Sequence, residues 1–375
     1  MNSNQKNFSI YIFLSTFARN LIELFIPIIL YKYGYSLKEV ILYYLFVNIF
    51  SVLITHPIIK MSKKYSNKIL VIIGFISFFI LQILLNNLKY NVYYLIILAF
   101  LFALYRRGYW ISRRFYNLKI MKKEKISSTY SLISIFNQIA VIISSYIGAI
   151  LLDFFNINLL NILSMIIYVI SMIPLFLLKF NHEKNNIKLD FIGTIKKIPK
   201  QNLYLFGSYE LINVLKFLFP LYLFIYVKDT YQVVGIINVI TNLSIIIFAY
   251  FYGKKIDGNK NYLKLSIILT VIVYFLKANS TFYLLIIISF LEGIFTKMYE
   301  LSISKEFYVL SKQFEYYNYN YIYEFIQNIF RTIVVLVLFL FGNNLKSMIY
   351  IVLLFIILGA LLNFKQVKYK NDKFN

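Results

Sequence analysis

Residues 8–31 read FSIYIFLSTFARNLIELFIPIILY, an apolar stretch long enough, at about 1.5 Å per residue of helix, to cross a bilayer. Arg19 and Glu23 stand inside it one helical turn apart, so they share a face and can pair with each other or with something passing by. Ionised groups at that depth are costly and are kept where they have a partner, water or a task. The stretch lacks a small-residue cleavage site and carries charge in its middle. It therefore reads as a first span that stays in the protein, not as a removable signal peptide.

The rest of the chain repeats this pattern. Of 375 residues, 60% are hydrophobic and 14% charged, proportions far from those of a soluble domain. Continuous apolar runs, instead of alternating short segments, point to an all-α membrane protein and away from an outer-membrane barrel. Twelve spans are expected, at residues 8–31, 39–59, 69–86, 92–116, 129–152, 157–178, 203–227, 232–252, 262–276, 281–298, 318–341 and 347–364. The longest polar stretch, residues 179–202, divides them into six and six. This gives an N-terminal bundle at 1–180, a linker at 181–202 and a C-terminal bundle at 203–375.

The net charge of +24 is distributed by side. With both termini on one face, the segments on that face hold 30 of the 39 Lys and Arg, among them 106–125 and 297–312. The opposite loops hold six, Lys277 and Lys346 included, and Arg19, Lys216 and Arg331 lie within spans. Such a bias is the positive-inside pattern, which places the termini and the linker in the cytoplasm and the chain in the cytoplasmic membrane. The basic charge reports topology and some attraction to anionic lipid, and does not call for nucleic acid.

Several chemistries lack material. There is no cysteine for a disulfide, a thiol nucleophile or a thiolate metal site. The two histidines, His56 and His182, lack the partners that catalysis or metal ligation needs. No Gly-rich phosphate loop appears, so any work is expected to draw on a gradient, with no cofactor and no enzymatic step.

The two halves echo each other. A shift of 193 residues sets NLIELFIPIIL at 20–30 on NVLKFLFPLYL at 213–223, pairing Asn20 with Asn213, Pro27 with Pro220 and Glu23 with Lys216. The same register lays the basic loop at 60–68 on that at 253–261, and a shift of 190 pairs Asn137 and Gln138 with Gln327 and Asn328. A duplicated six-helix unit is a recurrent design of secondary transporters.

At this point the chain resembles the major facilitator superfamily, which has six plus six helices, cytoplasmic termini and a loop motif G-x-x-x-D-R/K-x-G-R/K-R/K after helices two and eight. Gly253 and Asp257 keep that spacing as a gating-loop motif, with Lys260 following and Gly258 where a basic residue is expected. In the first half Lys60 and Lys64 replace the glycine and the aspartate. The resemblance implies that helices one, four, seven and ten line a central cavity, with two, five, eight and eleven beside them. Intramembrane charge falls on such helices: Arg19 and Glu23 in span one, Glu210 and Lys216 in span seven, Glu292 in span ten, and Glu324 and Arg331 in span eleven. Arg106 and Arg107 join them if span four runs as far as Phe115.

Glu210, Asn213 and Lys216 recur every three residues, and Glu324, Asn328 and Arg331 follow a four-then-three stripe, so each face holds an acid, an amide and a base. The amides read as interhelical contacts that set register. The expectation is a monomeric secondary transporter that moves a small organic solute by alternating access, coupled to protons through Glu23, Glu210, Glu292 or Glu324. Arg19, Lys216 and Arg331 would hold an anionic or zwitterionic group of the solute, or a carboxylate until solute displaces it. A lipid-linked amphiphile flippase and a non-transporting assembly or sensor protein on the same scaffold are the alternatives.

Overall fold

The computed structural model describes residues 3–120, 126–180, 190–257 and 263–371, and among them the secondary structure is helical throughout, with no strand. In chain order the helices are α1 (Ser3–Glu23), α2 (Ile26–Lys32), α3 (Leu37–Lys64), α4 (Asn67–Asn86), α5 (Val92–Ile120), α6 (Ile126–Phe154) and α7 (Ile157–Phe176). After residue 190 follow α8 (Phe191–Lys197), α9 (Lys200–Glu210), α10 (Ile212–Tyr222), α11 (Tyr231–Asp257), α12 (Leu263–Ala278), α13 (Phe282–Gln313), α14 (Tyr316–Phe341) and α15 (Leu345–Asn371). Among the described residues, eleven segments are long and apolar enough to cross a membrane. The remaining expected span, the ninth at 262–276, falls on α12, of which 16 residues are described.

Local chemistry sets the boundaries. Ser36 and Glu39 form a capping box at the start of α3, the Ser36 amide donating to Glu39 Oε2 at 2.8 Å and the Glu39 amide to Ser36 Oγ at 3.3 Å. Asn156 caps α7 by accepting from the Leu159 amide at 2.9 Å. Proline breaks the first span of each half. Pro27, in the opening turn of α2, has no N–H for the Glu23 carbonyl four residues back, and α1 ends at Glu23. In the second half Pro220 denies a donor to the Lys216 carbonyl, and a π-helical turn follows at Leu223–Val227. The pair brought into register by the 193-residue shift, Glu23 and Lys216, is thus the pair whose carbonyls proline leaves without their helical donor.

Two helices run well past their hydropathy limits. α5 continues to Ile120 and α13 to Gln313, carrying Arg113, Arg114, Lys297 and Glu300 into the packed interior. A hydropathy window ends where charges begin, whereas a helix goes on wherever those charges find partners. Arg113, Arg114 and Lys297, expected at the ends of spans 92–116 and 281–298 and counted with the charge of one face, lie well inside these longer helices. Lys277, assigned to an opposite loop, is buried in the last turn of α12.

α1 packs on α6 and α7, and α5 on α3 and α4. In the second half α9 packs on α14 and α15, and α13 on α11 and α12. The two halves of the chain meet along α6 with α11 and α3 with α14. The first seam needs Gly235. A Cβ there would stand 2.8 Å from Ala149 Cβ and 2.9 Å from the Ser145 carbonyl oxygen. The short α8, capped by Asp190 accepting from the Gly193 amide at 2.8 Å, lies against α14, and the Asp190 amide donates to Asn318 Oδ1 at 3.0 Å.

Candidate functional site

The centre of the molecule is organised by Glu324. This fully buried carboxylate on α14 forms ion pairs with Arg107 and Arg114, both on α5. The arginines are seven residues apart, two helical turns, so one face of α5 presents both. That face makes further bonds to the second half of the chain. Arg114 Nε donates to Asn320 Oδ1 at 3.2 Å, the Tyr316 hydroxyl donates to the Ile111 carbonyl at 3.4 Å, and Asn117 Nδ2 donates to the Tyr308 hydroxyl at 2.9 Å.

Toward the far end of α14 the same stripe changes partner. Arg331 reaches Glu210 at 3.1 Å and donates from Nη2 to Asn328 Oδ1 at 2.6 Å, while Asn213 Nδ2 donates to Glu210 Oε1 at 2.7 Å. Glu324 and Arg331, read on one stripe, thus pair with different helices and not with each other. Glu210 is the last residue of α9, so the helix break at Leu211 sits beside its carboxylate just as the break after α1 sits beside Glu23. Lys216 is exposed and, among the described residues, pairs with no carboxylate, although it lies near enough to Glu300 and Lys297 to act on both charges.

Arg19 and Glu23 form the ion pair anticipated for span one, Nε to Oε2 at 3.0 Å. The Arg19 guanidinium also lies over the rings of Tyr109 at 5.0 Å and Trp110 at 5.4 Å. Arg106 is half-buried, lies over Phe102 at 5.7 Å, and among the described residues has no hydrogen-bond partner at Nε. Glu292 is placed apart from these groups, in a buried pair with Lys277 between α13 and α12, where Lys277 Nζ also faces the Phe219 ring at 4.9 Å. Gly253 and Asp257 fall in the last turns of α11, where side chains lie outside the described residues, as does all of 258–262.

Four participants escaped the sequence reading as site residues: Arg113, Arg114, Lys297 and Glu300. Lys297 Nζ donates to Ser134 Oγ at 2.6 Å and to Glu300 Oε1 at 3.0 Å, and the Tyr130 hydroxyl closes the group on Glu300 at 2.9 Å. The signal available was the unbroken helical run from Phe282 to Gln313, which contains no proline and only Gly293. Between this group and the Glu324 cluster lies a cavity of about 50 Å³, bounded by α5, α6, α13 and α14.

Among the described residues, seven buried or partly buried cations, Arg19, Arg106, Arg107, Arg113, Arg114, Lys297 and Arg331, and the exposed Lys216 line this interior. They face four carboxylates, Glu23, Glu210, Glu300 and Glu324. Every carboxylate is used, and four positive charges remain in excess. Such an interior attracts an anion and repels a cation.

The sequence pattern that defines the Major Facilitator Superfamily matches residues 8–226. Among the solved structures that share the fold are two of a bacterial homologue of the iron transporter ferroportin in the outward-facing state. The first is 12% identical, with 98% of this chain and 100% of that chain covered at a TM-score of 0.71. The second, with soaked iron, is 14% identical, with 96% and 98% covered at a TM-score of 0.69. No curated protein matches the sequence.

Proposed function

From the premise that this chain belongs to the Major Facilitator Superfamily and is a multi-pass membrane transporter, we propose that it moves a small organic anion or zwitterion across the cytoplasmic membrane. It does so by alternating access between two six-helix units, 1–180 and 203–375, joined by the 181–202 linker, with linker and termini in the cytoplasm. The observation that carries this reading is the excess of four cations where the two halves meet. A solute anion supplies the charge that the protein lacks, and its arrival competes with Glu210 and Glu324 for their arginines. Those pairs cross between helices, so making and breaking them is what couples solute to the facing state. Protons are the coupling ion, carried by a glutamate released from its arginine when solute takes its place.

Iron, soaked into one of the structural neighbours, is not assigned to this chain as its solute. Iron sites want carboxylate, imidazole or thiolate donors. Among the described residues no group of three or more His, Cys, Asp or Glu is placed to hold a metal ion, and the interior is net positive.

A second reading, movement of a lipid-linked amphiphile, draws on one feature. An apolar crevice of about 230 Å³ opens along the seam of α3 and α14, lined by Ile49, Val52, Leu53, Ile329, Thr332 and Ile333. Uptake by proteoliposomes decides between the readings. Accumulation of a water-soluble organic anion driven by a proton gradient supports the first. Loss of a fluorescent anionic lipid from one leaflet, without solute uptake, supports the second.

A further inference from the structure

We propose that Arg113 is the oxyanion receptor of this transporter, binding the carboxylate or other oxyanion head of the solute through the Nε and Nη2 edge of its guanidinium. The inference rests on the organic-anion reading above and adds the residue and the chemistry of the head group.

Arg113 is a buried cation, 6% exposed, whose charge no carboxylate among the described residues answers. Its hydrogen-bond partners are neutral, the Tyr109 hydroxyl at 3.0 Å and Asn137 Oδ1 at 3.1 Å. Both bonds to described residues leave from Nη1, which leaves the Nε and Nη2 edge for the cavity that Arg113 lines. That edge is the fork that binds an oxyanion in bidentate fashion. The plane of the guanidinium is set beforehand, because the Trp110 ring lies 5.0 Å and the Tyr109 ring 5.8 Å from it.

The cavity matches this role in size and chemistry. At about 50 Å³ it exceeds the roughly 10–15 Å³ that one water needs and is far smaller than a drug-sized pocket of roughly 300 Å³ or more. It holds a head group, not a whole solute. Arg114 shares the lining but is committed to Glu324. Phe307, Tyr308 and Tyr323 from the second half close the space with rings, which suits an apolar body adjoining the charged head. Because α5 supplies the fork and α13 and α14 supply the rings, one bound anion touches both halves of the chain.

Trp110 is the sole tryptophan of the chain and lines this cavity, so its emission reports occupancy directly. Purified full-length protein in nanodiscs is titrated with butyrate, with the neutral isostere butyramide and with inorganic phosphate. Expected is a saturable change with butyrate that butyramide does not give. Arg113→Gln weakens the half-saturating concentration by roughly tenfold or more, and Arg113→Lys, which keeps the charge but not the fork, weakens it less. A response to phosphate alone also supports an oxyanion receptor and assigns a phosphoryl head. A response equal for butyrate and butyramide in the parent protein overturns the proposal without recourse to any variant. So does the absence of a saturable response to either anion. Uptake in proteoliposomes separates this claim from the one beneath it: anion transport with unchanged apparent affinity in Arg113→Gln sinks the receptor and leaves the transporter. Butyrate binding lost in Arg113→Gln, with no solute transported by the parent protein, does the reverse.

Discussion

Glu324 on α14 answers two arginines of α5 at once, Arg107 and Arg114, and in doing so holds the fourth span against the eleventh. The arrangement is asymmetric. Removing either arginine leaves a carboxylate with one partner, whereas removing the carboxylate leaves two guanidiniums facing each other without one. Glu324→Gln is therefore expected to destabilise by about 3–5 kcal/mol, the cost of stranding buried charge. Arg107→Gln and Arg114→Gln are expected to cost on the order of 1.5–3 kcal/mol each, that of a lost charge-assisted bond. Thermal unfolding in one detergent gives the ranking. An arginine variant as damaging as Glu324→Gln would show that the two pairs are not alternatives for one carboxylate.

Topology is open to direct test because the chain has no cysteine. Lys196 in α8, Lys89 and Lys346 are all exposed. Single cysteines at Lys89 and Lys346 should react with an impermeant maleimide in intact cells, and a cysteine at Lys196 only after permeabilisation. The reverse pattern would turn the molecule over in the membrane and with it the direction assigned to the positive-inside bias.

Eleven of the twelve expected spans were legible in the sequence because apolar runs near twenty residues admit one reading in lipid. Arg19 with Glu23 was legible as a pair because helical geometry alone brings i and i+4 together. The partners of Glu324, Glu210 and Arg331 were not, because each lies on another helix and neither periodicity nor hydropathy carries the rotation of one helix about its axis relative to the next. Lys297 and Glu300 were passed over for a different reason. Charges at the end of an apolar run look the same in sequence whether the helix stops or continues, and the sequence does not show that Ser134 and Tyr130 on α6 stand ready to bond Lys297 and Glu300.

The Lys277 and Glu292 pair joins α12 to α13 away from the cation-rich interior. If its role is packing, Glu292→Gln alone should destabilise, since it strands a buried ammonium. The double variant Lys277→Met with Glu292→Met should recover most of the unfolding temperature, because a buried pair replaced by apolar groups of similar size is often neutral. Transport by the double variant should match the parent. If the double variant folds normally and does not transport, Glu292 belongs to the transport cycle after all.

Proton coupling can be assigned among the glutamates by access. Glu23 keeps 27% of its side chain exposed and has one arginine partner, Glu210 has one arginine and an asparagine, and Glu324 is sealed between two arginines. A coupling proton must reach its acceptor from water and leave again, which favours Glu23 and Glu210 over Glu324. Glu23→Gln and Glu210→Gln are each expected to abolish accumulation driven by a proton gradient while solute exchange continues, since exchange moves no net proton. Glu292→Gln in a stabilised background should retain both. Proteoliposomes loaded with the solute and challenged with an imposed pH difference provide the measurement. Accumulation in the parent protein that ignores the pH difference would remove protons from the mechanism and leave a sodium-driven or uncoupled carrier.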